Sequence, residues 1–165
     1  MYYLSNKYLP DQKEVTAMKH GEKAEALFRN GYNCSQAVLL AFSDVTGLDD
    51  DTAAKIAQSF GGGLGRMREV CGAVSGAAMV LGLVKGSNAP DDHEAKKAHY
   101  KLVQEFASRF REMNGSIICR ELLASTGAAK GLDPEKRTAE YYKKRPCPEI
   151  VRTAAEILDE MIGNN

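Results

Sequence analysis

The chain has 165 residues, 44% of them hydrophobic and 27% charged, the proportions of an ordinary globular protein and not of a disordered one. Lys plus Arg total 22 and Asp plus Glu total 22, so no net positive charge is present to drive non-specific nucleic-acid binding. DNA and RNA are therefore set aside as partners, and one domain of common size, 1–165, is expected.

The first residues, MYYLSNKYLPDQKEV, lack the basic, apolar and small-residue regions of a secretory signal, which makes the cytoplasm the expected compartment. No stretch shows sustained period-two alternation, whereas several carry apolar residues at three- and four-residue spacing, so the expected class is all-α. The first helix is expected from about Asp11 to Phe28, with Ala24, Leu27 and Phe28 on one stripe and an exit at Asn30-Gly31. Asn33 is the natural N-cap of a second helix, Cys34 to Val45, which ends at Thr46-Gly47. Asp49, Asp50 and Asp51 suit the N-terminus of a third helix, which should turn Ile56 and Phe60 inward and end at Gly61-Gly62-Gly63.

After the loop GGGLGRMRE, a helix of about residues 70–85 is apolar nearly all round, and the expected architecture is a helical bundle with this small-residue-rich helix at its centre. Its parent run, Val70 to Val84, is shorter than the roughly 20 residues a spanning helix needs and contains Gly72, Gly76 and Gly82, so no membrane role is expected. Gly72, Ala73, Gly76 and Ala77 leave flat surfaces for close approach of another helix, within the core or, less simply, across a homodimer seam. A long amphipathic helix follows from Asp91 to Met113, with Val103, Phe106 and Phe110 inside. Next come a short helix near Ile117 to Ala124, a polar loop and a charged stretch, Pro134 to Arg145. Pro148 opens the last helix, whose buried stripe is Ile150, Val151, Ala154, Ile157, Leu158 and Met161.

Each of the four cysteines, Cys34, Cys71, Cys119 and Cys147, falls at an expected helix start. Unpaired N–H groups and the helix dipole favour thiolate there, so four such ends could surround one anionic centre. Gathering thiolates in a low-dielectric interior demands compensation from metal, helix N-termini or arginine, or else oxidation to disulfide. All four sulfurs are accordingly expected in one cavity. Arg66 and Arg68 precede Cys71 in the loop and make it the expected most reactive thiol. No Cys-x-x-Cys pair exists, which argues against a zinc ribbon or a thioredoxin-type motif.

At these residues the sequence resembles a family of redox-active proteins named for four cysteines and a Cys-Gly-Ala-x-x-Gly motif. The match is CGAVSG, Cys71 to Gly76, supported by GYNCSQAVLLAF around Cys34, SFGGGLGRMREVCGAVSGAAMVLGL, ICRELL around Cys119 and the late Cys147, over roughly Glu22 to Ile162. The resemblance implies redox function without naming a reaction. A similar four-cysteine module accompanies haem-binding parts in split-Soret cytochromes, where it is associated with an iron–sulfur centre. Carried over to this chain, which has no haem motif, it implies a centre on Cys34, Cys71, Cys119 and Cys147: a two-iron cluster, another metal, or thiol/disulfide cycling. Gly62, Gly63, Arg66, Arg68 and Gly72 would line it. A redox partner protein would be the expected associate, with a homodimer as the expected assembly.

The competing reading is a non-catalytic helical binding or scaffold protein in which the cysteines are merely buried. GGGLGR is not a phosphate loop, because helix precedes it and the Lys-Ser/Thr is absent. His20, His93 and His99 are assigned to solvent, as is the surface formed by Tyr141, Tyr142 and the basic run Lys143 to Arg145.

Overall fold

The computed structural model describes residues 18–128 and 130–163. Among them the secondary structure is helical, in nine segments: α1 (His20–Arg29), α2 (Cys34–Ala41), α3 (Ser43–Thr46), α4 (Asp50–Gln58), α5 (Gly72–Lys85), α6 (His93–Asn114), α7 (Cys119–Leu122), α8 (Ala139–Lys143) and α9 (Cys147–Gly163). The all-α expectation holds. The stretch expected as helix before Met18 lies outside the described residues, and α1 itself begins at His20.

α2 and α5 share the centre. Every residue from Ala37 to Phe42 is buried, and α2 packs against α1, α4, α5 and α9. α5 lies against it through glycines, since a Cβ built on Gly76 would meet the Ser35 carbonyl oxygen at 2.7 Å and one on Gly72 the Phe60 carbonyl oxygen at 2.9 Å. The small residues of α5 thus serve packing within the chain, bringing two helix backbones together where any side chain would force them apart. The last turn of α5 departs from the expectation of burial on all sides: Leu83 is 51% exposed.

The expected helix from Cys34 to Val45 divides at Phe42, whose φ of −100° interrupts the helix between α2 and α3. α4 also differs in register from the sequence reading. Asp49 caps it by accepting from Thr52 N at 2.9 Å, and the face turned to the core then carries Ala53 and Ala57. Ile56 points away, 50% exposed, and Phe60 is half-buried. In α6, Phe106 and Phe110 are buried as expected, and α9 buries Ile150, Val151, Ala154, Ile157 and Leu158. α9 packs most heavily on α1 and closes the core over α2, α5 and α6.

His20 departs from its assignment to solvent. Its ring stacks on Phe42 at 4.1 Å, with Nδ1 2.5 Å from Asp159 and Nε2 3.1 Å from Asp44, so it ties the start of α1 to α3 and α9. Among the described residues no helix is long and apolar enough to cross a membrane.

Candidate functional site

The four cysteines stand where helices begin. Cys34, Cys119 and Cys147 are the first residues of α2, α7 and α9, and Cys71 is the N-cap of α5. Local chemistry fixes each position. Asn33 and Gln36 form a reciprocal capping box ahead of α2, with Gln36 N donating to Asn33 Oδ1 at 2.9 Å and Asn33 N to Gln36 Oε1 at 3.0 Å. The same Asn33 donates through Nδ2 to the Gln58 carbonyl at 2.9 Å, which joins Cys34 to the end of α4.

Cys71 and Cys119 are aligned by a short antiparallel bridge between Val70 and Ile118. Cys71 N donates to the Ile117 carbonyl at 2.8 Å, and Cys119 N to the Glu69 carbonyl at 2.7 Å.

The glycine loop supplies the rest of the geometry in an unusual conformation. Gly62, Gly63, Leu64, Gly65 and Arg66 all have φ between 54° and 71°, and Arg68 follows at 63°. Left-handed φ is unfavourable for residues with a Cβ, and strain of this kind concentrates at functional sites. Its hydrogen bonds close tightly, Arg68 N to the Gly62 carbonyl at 3.1 Å and Glu69 N to the Gly63 carbonyl at 3.0 Å. At Gly63 a Cβ would lie 2.7 Å from the Cys119 Cβ, so the loop passes directly beside that thiol.

All four cysteines line one small internal cavity together with Gly62, Gly63, Gly72 and Ile150. All four are free thiols. Cys71, Cys119 and Cys147 are buried and Cys34 is half-buried.

Their protonation is unequal. Cys34 and Cys147 are neighbours that shift each other in opposite senses. Cys147 is held below the ordinary thiol range, first by the adjacent Cys34 thiol and then by the nearby Arg145 and Arg137, against the effect of burial. Cys34 is pushed well above the range by Cys147, by burial and by the other sulfurs. Burial raises Cys119, opposed by Arg68, whose Nη1 donates to Sγ at 3.7 Å.

Burial also raises Cys71 to about 12, although the Ala73 and Val74 amides oppose it. Cys71 is therefore not the most activated thiol. Arg68 acts on Cys119 instead, and Arg66 pairs with Glu135 at 3.2 Å and donates through Nε to the Gly131 carbonyl at 3.0 Å. The lowered thiol is Cys147.

A wider cleft of about 300 Å³ opens above Cys34, Cys119 and Cys147, walled by Arg66, Arg68, Arg137 and Arg145. Arg145, assigned to solvent from its place in a basic run, is buried and ion-paired with Glu135. It also lies 4.4 Å over the Tyr141 ring. The one signal in the sequence that could have found it is its place two residues before Cys147. Nothing in the sequence distinguishes Arg137 or Glu135 from other charged residues of that stretch.

Thiols are suitable donors for a thiophilic metal or an iron–sulfur cluster. Their spacing does not fit one as it stands: among the described residues no three Cys, His, Asp or Glu side chains take up a metal-holding arrangement. The cavity between the sulfurs, about 10 Å³, has room for about one water.

No curated protein and no solved structure matches the chain. Residues 32–161 match the family described as "Putative redox-active protein (C_GCAxxG_C_C)". The label writes Gly-Cys-Ala, whereas this chain reads Cys71-Gly72-Ala73 before Gly76. With the four cysteines in order and most of its length matched, the chain belongs to the C_GCAxxG_C_C family of redox-active proteins.

Proposed function

We propose that the protein carries electrons by thiol/disulfide cycling at its four-cysteine centre, with Cys34 and Cys147 as the working pair. The observation that carries the reading is geometric: both thiols line one small cavity with the other two and both open onto an arginine-walled cleft, beside which Cys147 is lowered and Cys34 raised. A thiolate is the attacking species in exchange, and a protonated neighbour can close the intramolecular disulfide once its proton is removed. Two thiols then become one disulfide, with two electrons and two protons passing to the oxidant. Cys71 and Cys119, on the adjoining bridge, form the inner part of the centre. A redox partner protein would supply or take the electrons.

An iron–sulfur centre is the second reading, supported by four thiols facing one cavity and by the module's association with such centres in split-Soret cytochromes. It would require the cavity of about 10 Å³ between the thiols to enlarge.

Anaerobic purification of the untagged protein tests both. The cycling reading expects four titratable thiols in the reduced form, loss of two on equilibration with a mild dithiol/disulfide buffer, and a mass-mapped Cys34 to Cys147 link. Stoichiometric iron and sulfide with visible absorption would replace it by the cluster reading. A thiol count unchanged across the buffer range, without metal, would refute both.

A further inference from the structure

The cleft above the thiols is a concentration of positive charge in a chain whose formal net charge is zero. Among the described residues four arginines line it against one carboxylate, Glu135. Even with Cys147 ionised, positive charge exceeds negative. Glu135 is divided between two of the four, Arg66 and Arg145, which together hold it below the usual carboxylate range despite burial.

Arg137 is built into the wall with capacity left over. Its guanidinium lies 4.5 Å over the Phe28 ring and 4.7 Å over Tyr141, which fixes its plane. Nη2 donates to the Tyr32 carbonyl at 3.3 Å, while Nη1 is buried with no hydrogen-bond partner among the described residues. A buried guanidinium donor without an acceptor carries a desolvation cost, so the side chain gains by a shift that brings Nη1 to an oxyanion in the cleft. The walls also offer Asn33, Gln58 and the Tyr141 ring, and the volume, about 300 Å³, is that of a small-molecule site.

We propose that this cleft binds a small molecule carrying two or more carboxylate or phosphate groups and holds it over Cys34, Cys119 and Cys147. Only the use made of the ligand rests on the redox reading: an anion seated there lies over the thiols that exchange electrons with the partner protein. Binding itself stands on the arginines.

Isothermal titration of the reduced full chain with citrate and, separately, with pyrophosphate tests the proposal and separates carboxylate from phosphate chemistry. At least one is expected to bind one-to-one, with affinity falling as salt rises. Arg137→Gln and Arg68→Gln should each weaken that affinity about tenfold, the scale of one lost charge-assisted hydrogen bond. Lys101→Gln, on the exposed face of α6, should leave it unchanged. Circular dichroism identifies a variant that has lost its fold, and the other arginine variant then decides.

Absence of binding by both anions, or equal weakening by Lys101→Gln, would overturn the proposal. Thiol titration of the parent protein across the dithiol/disulfide buffer, run beside the calorimetry, separates the two readings. Anion binding with no redox change in thiol count sinks the cycling reading alone, and cycling without anion binding sinks this one alone.

Discussion

Arg68 Nη1 lies 3.7 Å from Cys119 Sγ, joining a left-handed residue of the glycine loop to the first residue of α7. The contact favours thiolate at Cys119 against the effect of burial. Replacing Arg68 by Gln should slow alkylation of Cys119 by iodoacetamide near pH 8, by roughly threefold to tenfold for one partly solvated charge-assisted bond. Mass spectrometry of each cysteine peptide gives the rates, and an unchanged Cys119 rate would count against the assignment.

Cys147 should be the fastest thiol toward small alkylating reagents at pH 7 in reduced protein that has not been denatured, once corrected for access. Cys34→Ala removes the neighbouring thiol that favours its thiolate, so its alkylation profile should shift to higher pH. The rate at pH 7 should fall by about tenfold, the scale of one interaction with a charged sulfur. A pH profile identical to that of the parent protein would show that the pairing is without effect.

Stability should depend on alkaline pH through the buried thiols. Cys71 keeps its proton to about 12 in the folded state, above the value of about 9.0 for an ordinary thiol. The folded state therefore binds that proton more tightly than the unfolded chain does. Its contribution is full below the unfolded value, declines above it and is gone once pH has passed the folded value. The slope is at most about 1.4 kcal/mol per pH unit per proton. Cys34 and Cys119 act in the same direction, whereas Cys147, being lowered, adds stability that is lost as pH falls. Urea unfolding under reductant should thus weaken steeply above about pH 9, and Cys71→Ala should flatten the decline.

The close approach of α2 and α5 gives a pair of opposite outcomes for one kind of substitution. Gly76→Ala places a methyl group 2.7 Å from the Ser35 carbonyl oxygen, and should cost about 1–3 kcal/mol through overpacking. Gly82→Ala, six residues along the same helix, meets nothing within 4 Å and should stabilise by up to about 1 kcal/mol. Chemical denaturation of the two variants in parallel checks both signs.

The helix starts were legible because their signals are local. Asn33 caps, Asp49 caps, and each cysteine sits within one residue of the turn that the sequence marks. The cluster could be inferred from four such positions together, since a shared location is simpler than four coincidences. Register and charge pairing were less accessible. Ile56 reads as the natural core residue of α4, yet the Asp49 cap turns the smaller Ala53 and Ala57 inward, where α2 leaves little space. Arg66 and Arg68 read as servants of Cys71 because they are its neighbours in sequence. The left-handed run redirects them across space to Glu135 and Cys119. Arg145 looks like the end of a basic surface run until the fold lays Tyr141 beneath it.

The placement of Cys147 at the head of α9 has a consequence for biosynthesis. A ribosome adds about 5–20 residues per second from the N-terminus, so Cys34 and Cys71 are made before the helix that completes their surroundings exists. α9 provides both the partner thiol of Cys34 and the main packing surface of α1, which couples closure of the centre to docking of a late helix. A nascent chain arrested ahead of α9 holds three thiols but no activated one. The lowered thiol then arrives only with the helix that completes the core, which spares the growing chain from premature cross-linking through Cys147.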